Sequence, residues 1–330
     1  MEDFLRSSER LEKIGQGFCG TVWSEEGGAL VVKRADGGPG RSLLNENHIY
    51  TYILSAVANY RAGTIHCENI EASKDEGNQE EQRKRETCPR IKVNIPIHIA
   101  FLEQTSAVWP DILPRLPEGF TACEASISER IPPMPAPVRE LLASRYCPSP
   151  QQAAQMARDK ANASCLVRPY LGRRRPAADQ RGAPRRRFFS LRNFPLHADQ
   201  MEELGLPVDD YAAAMADALA FLHWIARVDA GDVEYVLAPP RAADADGACI
   251  GEARLFAEAL GQHGINDPFY PRPGAREEKD QKTWEAFEER FLRISGDMLR
   301  AEGEDVRALP GILMRTIREN RDTWTKSAIN

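Results

Sequence analysis

The chain has 330 residues, a formal net charge of −6 and 42% hydrophobic residues, a composition typical of a globular protein with one large or two ordinary domains. No run of apolar residues approaches the ~18 that a transmembrane helix needs. The first residues, MEDFLRSSERLEK, contain no secretory h-region. Seven cysteines lie scattered without a CxxC spacing, which argues against a disulfide framework and against a structural zinc site. We therefore expect a cytoplasmic protein with reduced thiols and no membrane partner.

The first third of the chain begins with predicted strands. The strings IGQGFCGTVW and ALVVKR, within residues 8–35, predict a strand, a glycine turn and two further strands. Apolar residues at steps of three and four predict a helix over 41–60. Residues 66–90 are polar and charged, which favours a solvated insertion. Short apolar runs predict strands at 91–102 and 106–109.

The rest of the chain is mainly helical in pattern. The string SCLVRPYL predicts a buried strand at 164–171, and a capped apolar stripe predicts a helix over 209–227. VEYVLAPP predicts another strand and is followed by an Ala/Asp/Gly-rich loop at 241–249 and a helical segment at 251–262. Helical spacing predicts that the C-terminal part contributes five core residues: Trp284, Phe287, Phe291, Ile294 and Met298.

This order of elements predicts the fold class. Strands come first with one helix among them, and helices dominate afterwards, which favours an α+β, bilobal protein over a βαβ alternation. We expect a β-rich N-lobe over 1–170, with the charged insertion at about 66–90. A helical C-lobe is expected over 171–330, preceded by an arginine-rich segment at 172–192.

A glycine-rich motif near the N-terminus suggests an anion site. Gly15, Gly17 and Gly20 form GxGxxG, and Lys33 ends the apolar strand LVVK, as in the nucleotide loop and strand lysine of protein kinases. Glycines let backbone N–H groups approach phosphates, and the lysine adds a positive charge. Glu46, near the start of the next predicted helix, is at the position where a kinase lysine finds its carboxylate partner. The alternative is a glycine-rich hairpin with a lysine that reaches solvent.

A second motif, RVDAGDVE, follows the predicted helix at 209–227 and resembles the kinase catalytic loop HRDxxxxN. Asp229 has the position of the catalytic base, Asp232 follows it, and Glu234 replaces the metal-binding Asn. The alternative is a turn whose aspartates cap the backbone. Downstream we find no DFG-like triad in a strand context, and Asp244 and Asp246 are poor magnesium ligands in an Ala/Gly-rich loop. Phosphoryl transfer depends on such a metal, so this absence weakens a kinase interpretation.

The arginine-rich segment opposes the acidic balance of the chain. Between residues 168 and 192 nine arginines face one acid, a net charge of +8, and phenylalanines lie beside them. Arginine forks bind phosphates and aromatic rings stack on bases, which favours an RNA or polyphosphate contact. The alternatives are a solvated loop and arginines paired with acidic parts of this protein. The candidate contacts to an RNA backbone are Arg173, Arg174, Arg175, Arg185, Arg186 and Arg187.

Several long strings resemble a fungal kinase-like family catalogued as a domain of unknown function and often described with zinc fingers. They are VVKRADGGPGRSLLNEN, RIPPMP, CLVRPYLGRRR, FFSLRNFPLHADQMEELGL, ALAFLHWIARVDAGDVEYVLA and NDPFYPRP. The resemblance extends from about residue 10 to about 300. Members of that family carry an LDF-type acidic motif between the last two strings, and this sequence lacks it.

Proteins of this kind are linked to fungal arginine-containing cyclodipeptide synthases, which join arginine to a second amino acid taken from aminoacyl-tRNA. The resemblance implies aminoacylated tRNA as the partner, no required cofactor and no stable protein partner. It implies that Asp229, Asp232 or Glu234 binds the arginine guanidinium or deprotonates the attacking amine. The glycine loop (Gly15, Gly17 and Gly20), together with Lys33 and Glu46, would hold the terminal adenosine. The arginine clusters would bind the tRNA backbone.

Two other functions stay open. One is a phosphotransferase that depends on ATP and Mg²⁺, which requires a magnesium carboxylate. The other is a pseudokinase-type module that binds nucleotide or RNA without turnover, which the altered catalytic loop favours.

Overall fold

The computed structural model describes residues 1–17, 19–35, 42–61, 93–175, 189–230, 233–239, 252–257 and 268–320. Several predictions lie outside these residues: the charged insertion at 66–90, the loop at 241–249, Asp232, and the second arginine cluster, Arg185 to Arg187.

The N-lobe is built on a five-stranded antiparallel sheet with the order β1-β2-β3-β5-β4. Its strands are β1 (Glu12–Gln16), β2 (Gly20–Ser24), β3 (Leu30–Ala35), β4 (His98–Leu102) and β5 (Ala125–Glu129). The strands predicted within 8–35 and at the end of 91–102 are confirmed. The predicted strand at 106–109 is wrong, because a turn there leads into a short helix from Trp109. Pro110 lies in the first turn of that helix, where its missing N–H costs nothing.

The first long helix connects the sheet to the rest of the molecule. Glu124 fixes its start by accepting hydrogen bonds from the Leu43 backbone N–H at 2.9 Å and from the Ser42 hydroxyl at 2.8 Å. The helix, α2, spans Leu44–Arg61 and confirms the prediction for 41–60. Buried Ile53 and Tyr60 on its later turns belong to the core of the C-lobe.

The C-lobe contains most of the helices and a small sheet with the order β7-β6-β8-β9. The helices of the whole described chain are α1 (Glu2–Arg6), α2, α3 (Trp109–Ile112), α4 (Ala136–Tyr146), α5 (Pro150–Arg158), α6 (Ala198–Glu203), α7 (Val208–Ala220), α8 (Glu278–Met298) and α9 (Glu304–Glu319). The strands are β6 (Val167–Tyr170), β7 (Phe194–His197), β8 (Val233–Ala238) and β9 (Glu252–Ala257). The molecule is α+β, with a β-rich N-lobe and a mainly helical C-lobe, as predicted.

Strand β9 corrects the helix predicted over 251–262 at residues 252–257, and the other residues of that range lie outside the described chain. It pairs antiparallel with β8 from Val233 opposite Ala257 to Ala238 opposite Glu252. The segment GEARLFAEAL contains good helix formers, but pairing along the whole edge of β8 outweighs that weak local preference. The predicted strand VEYVLA is confirmed as β8, and the strand predicted at 164–171 as β6.

The main apolar core lies in the C-lobe around α7 and α8. The five predicted C-terminal core residues are all buried there. Leu142 of α4, Ala157 of α5 and Val167 of β6 belong to the same core. These segments precede residue 170, so the core of the C-lobe begins before the predicted lobe boundary. Helix α7 matches the prediction for 209–227 but continues as one π-helical turn over Phe221–Ile225.

Candidate functional site

A cleft of about 360 Å³ lies between the two lobes. The glycine loop and β3 form its N-lobe wall, the residues after β5 form its back, and β6 and β8 form its C-lobe wall. Its glycine and charged lining residues in the described chain are Gly15, Gly17, Lys33, Glu129, Arg130, Arg168, Arg192 and Glu234. The cleft therefore combines residues from the two sequence motifs that predicted chemistry.

Lys33 and Glu46 form a nearly buried ion pair beside this cleft. The Lys33 ammonium donates to both carboxylate oxygens of Glu46, at 2.9 and 2.7 Å. The side chains are 5% and 15% exposed. Lys33 lies on β3 opposite Val22 and Ser126, so the sheet fixes its origin while α2 supplies its partner. The predicted pairing is confirmed, and it holds a positive charge at the cleft wall in one position.

The three motif glycines have different roles. Gly15 and Gly17 line the cleft, and the Gly17 N–H donates to the Gly20 carbonyl at 2.9 Å to close the turn. Gly20 is not among the lining residues that the structure describes. A Cβ on Gly20 would lie 1.8 Å from the Arg34 carbonyl oxygen. Gly20 is thus required by the close approach of β2 and β3, and its predicted role in binding a ligand stays a prediction.

Glu234 forms an ion pair with Arg168 on the C-lobe wall. The Arg168 Nη2 donates to Glu234 Oε2 at 2.6 Å, between β6 and β8. The two side chains are 22% and 27% exposed, so each keeps access to the cleft. Arg168 Nε is buried and has no hydrogen-bond partner. The sequence singled out Glu234 but missed Arg168 as its partner, because 66 residues separate them.

Asp229 lies outside the described wall of the cleft. It is exposed and follows Arg227, whose φ of +52° places it in the left-handed region that few non-glycine residues adopt. Burial lowers the pKa of His223, against the opposing effects of the Asp229 charge and a hydrogen bond with the Val228 backbone. The structure therefore brings Glu234, Lys33 and the glycine loop together and leaves Asp229 at their periphery.

Two arginines of the first cluster, Arg174 and Arg175, are engaged within the protein, whereas the Nε of Arg173 is buried without a hydrogen-bond partner. Arg174 donates to Asp280 at 2.7 Å and to Glu202 at 2.5 Å, and these hydrogen bonds raise its pKa despite partial burial. Arg175 pairs with Asp199 at 2.5 Å and with Glu203. These contacts match the alternative that the arginines bind acidic parts of the chain. Whether Arg173, Arg174 and Arg175 also contact RNA is not tested by these contacts and stays a prediction.

The described part of the chain offers little for metal ligation. It contains no group of three or more His, Cys, Asp or Glu side chains placed to hold a metal ion. The cysteines in it are free thiols, and burial raises the pKa of Cys165 to about 12. Among its helices, none has the length and apolarity needed to cross a bilayer.

Comparison with known proteins gives one partial match. The family DUF3669, described as a zinc finger protein, matches residues 252–303, which include β9 and α8. This stretch contains no cysteine and one histidine, His263. Structural zinc sites are usually built from four Cys and His ligands, and the matched residues do not contain such a set. No curated protein matches the chain, and no solved structure does.

Proposed function

We propose that this protein is an aminoacyltransferase that takes arginine and a second amino acid from aminoacyl-tRNAs and releases a cyclo-Arg-Xaa diketopiperazine. The observation that carries the proposal is the interlobe cleft, which holds the fixed ammonium of Lys33 and the carboxylate of Glu234 in one space. The ammonium and the glycine loop suit the terminal adenosine of a tRNA. The carboxylate suits a guanidinium or an attacking amine.

The scaffold supports binding of a nucleotide end. A lysine on β3 that pairs with a glutamate of the following helix is the arrangement by which protein kinases hold nucleotide phosphates. The antiparallel pairing of β8 with β9 on the C-lobe side adds a second strand pair to this scaffold. Gly15 and Gly17 line the same wall and have no side chains, so a ligand can approach the backbone closely there.

Glu234 is the group best placed to act on the arginyl substrate. A carboxylate that already accepts a guanidinium N–H from Arg168 at 2.6 Å has the geometry for an arginine side chain. Arg168 positions the carboxylate, while the exposed fraction of Glu234 faces the cleft. Asp229 and Asp232 stay alternative bases, and Asp232 lies outside the described residues.

The reaction needs no further activation, because each amino acid arrives as an ester. The α-amine of one aminoacyl group attacks the ester carbonyl of the other. An amide bond forms, the ester C–O bond breaks, and the ribose hydroxyl of the first tRNA leaves. A carboxylate takes the proton from the amine and returns it to the leaving oxygen. A second attack, by the remaining amine on the remaining ester, closes the ring and releases the second tRNA.

A phosphotransferase that uses ATP and Mg²⁺ is the second candidate. The Lys33–Glu46 pair favours it, because the same pair is required in active protein kinases. The acids that line the described cleft, Glu129 and Glu234, are separately engaged with the Ile97 backbone and with Arg168.

The test is a reconstituted reaction. The purified full chain is incubated with total tRNA, the twenty amino acids and their synthetases, and cyclic dipeptides are detected by mass spectrometry. We expect an arginine-containing cyclic dipeptide that disappears after RNase treatment. Absence of this product, together with ADP formation from ATP and Mg²⁺ that RNase leaves unchanged, would favour the phosphotransferase instead.

A further inference from the structure

A second, larger cleft of about 920 Å³ adjoins the first. It lies between the β2–β3 turn, the residues after β5 and the loop before β6. The two clefts share part of their lining, so they meet along a common edge. The shared residues are Ile14, Glu129, Arg130, Pro133, Ser164 and Arg192.

Two arginines at this common edge differ from the other arginines around the cleft. Arg192 donates to the Ile14 carbonyl at 3.2 Å. Arg130 donates to the carbonyls of Glu25, at 3.1 Å, and Gly28, at 3.4 Å. Neither guanidinium forms an ion pair with any residue that the structure describes, whereas Arg168 pairs with a carboxylate.

Half-buried Arg130 and exposed Arg192 bring two positive charges to the junction, against one carboxylate there, that of Glu129, so carboxylates do not balance the charge fully. The other acids of the larger cleft are Glu12, which pairs with Lys160, Glu25, which pairs with Arg115, and Glu26, which lines the cleft together with Lys13. Lys33 is neutralised by Glu46 and Arg168 by Glu234, and Glu129 accepts a hydrogen bond from the Ile97 backbone at 3.0 Å. Burial lowers the pKa of Arg130, a direction that fits a partly buried guanidinium without a carboxylate partner. Arginine keeps its charge in such a position, so an anionic ligand would compensate it.

We infer that Arg130 and Arg192 form a phosphate-binding site where the two clefts meet, and that its ligand is a phosphodiester of a single-stranded RNA 3′ end. This inference rests on the proposed function for the choice of RNA. The smaller cleft would hold the terminal adenosine against Lys33 and the glycine loop. The larger cleft continues beyond the arginines and has room for the preceding nucleotides. A guanidinium fork matches the paired oxygens of a phosphate.

The experiment measures binding of a fluorescently labelled single-stranded oligonucleotide ending in CCA, by anisotropy, over a series of salt concentrations. The variants are Arg130→Gln, Arg192→Gln and the double variant. Arg307→Gln is the matched control, because Arg307 is exposed on α9, lines neither cleft, and loses the same charge. We expect each cleft variant to bind about tenfold more weakly. The slope of log K against log salt should fall by about 0.7 for each lost phosphate contact.

Lysine substitutions at the same positions separate charge from folding. Arg130→Lys and Arg192→Lys should recover most of the salt dependence, and thermal unfolding identifies any variant that is misfolded. ATP binding is measured in parallel, because a nucleotide triphosphate offers the same phosphate chemistry. Weaker binding of the oligonucleotide alone supports RNA as the ligand, and weaker binding of ATP alone overturns that choice of ligand. Unchanged binding of both by the folded variants would overturn the site.

These outcomes are independent of the proposed reaction. If the wild type makes no cyclic dipeptide but the glutamine variants bind the oligonucleotide more weakly, the phosphate site is retained and the proposed function is rejected. If the wild type makes the product and the glutamine variants bind RNA as well as it does, the function is retained and the phosphate site is rejected.

Discussion

Arg168 on β6 and Glu234 on β8 form an ion pair of 2.6 Å across neighbouring strands of the C-lobe sheet, on the wall of the interlobe cleft. Both side chains keep about a quarter of their surface exposed. Solvent therefore screens the pair, and its contribution to folding is small, about 1 kcal/mol or less. The pair is better suited to position a carboxylate than to stabilise the lobe.

Replacement of Glu234 should separate activity from stability. Glu234→Gln keeps the size of the side chain and removes its charge, so we expect cyclic dipeptide formation to fall by about 10²-fold or more. The free energy of unfolding, measured in urea, should change by no more than about 1 kcal/mol. Glu302→Gln is the control, because Glu302 forms only a long, exposed contact of 3.7 Å with Arg227. Wild-type activity in the Glu234 variant would remove Glu234 from the mechanism.

Replacement of Lys33 should lower both the stability of the protein and its binding of a nucleotide end. Lys33→Met leaves the carboxylate of Glu46 largely buried without its ammonium, which we expect to cost about 3 kcal/mol of unfolding free energy. The double variant Lys33→Met/Glu46→Leu removes both charges, so much of the stability should return while nucleotide-end binding stays lost. Urea unfolding and oligonucleotide anisotropy measure the two effects. Binding that recovers together with stability would show that Lys33 has only a structural role.

The motif glycines should respond differently to alanine. A methyl group at Gly20 would meet the Arg34 carbonyl, so Gly20→Ala should destabilise the N-lobe by about 1–3 kcal/mol. At Gly15 the nearest atom to a new Cβ is Val22 Cβ at 3.4 Å, an ordinary contact. Gly15→Ala should therefore unfold like the wild type but raise the KM for aminoacyl-tRNA, because the methyl group narrows the cleft. Equal thermal stability of the two variants would contradict this assignment.

His223, half-buried in the π-helical turn over Phe221–Ile225, should make stability depend on pH. Burial holds the pKa of His223 below its ordinary value of 6.5, so the unfolded chain binds more protons in the range between the folded and ordinary pKa values. The free energy of unfolding should consequently fall as the pH drops below about 6.5. We expect His223→Gln to show a smaller loss between pH 7.5 and 5.5 than the wild type. His48→Gln, a change on the exposed part of α2, should follow the wild type.

The local part of the site could be predicted from the sequence. Lys33 ends an apolar strand and Glu46 lies in the first turn of the next helix, so a short separation and two clear periodicities indicated their contact. The apolar stripe of α8 likewise indicated Trp284 and its neighbours as core residues.

Contacts between distant segments could not be predicted in this way. The pairing of Arg168 with Glu234, and of Arg174 with Asp280 across 106 residues, depends on which strands and helices become neighbours. Strand β9 was missed because Ala, Leu and Glu favour a helix locally, whereas pairing with β8 decides the structure. Helices α4 and α5 were not predicted either, because each has a proline in its first turn, Pro137 and Pro150, which locally resembles a break.

The most direct test of the account uses preloaded substrates. Purified arginyl-tRNA and a set of second aminoacyl-tRNAs, freed of ATP and synthetases, are mixed with the wild-type protein and with the Glu234→Gln variant. We predict that the wild type makes an arginine-containing cyclic dipeptide without ATP and that the variant makes little or none. Product formation only when ATP is added back, or no product from any preloaded pair, would contradict this prediction.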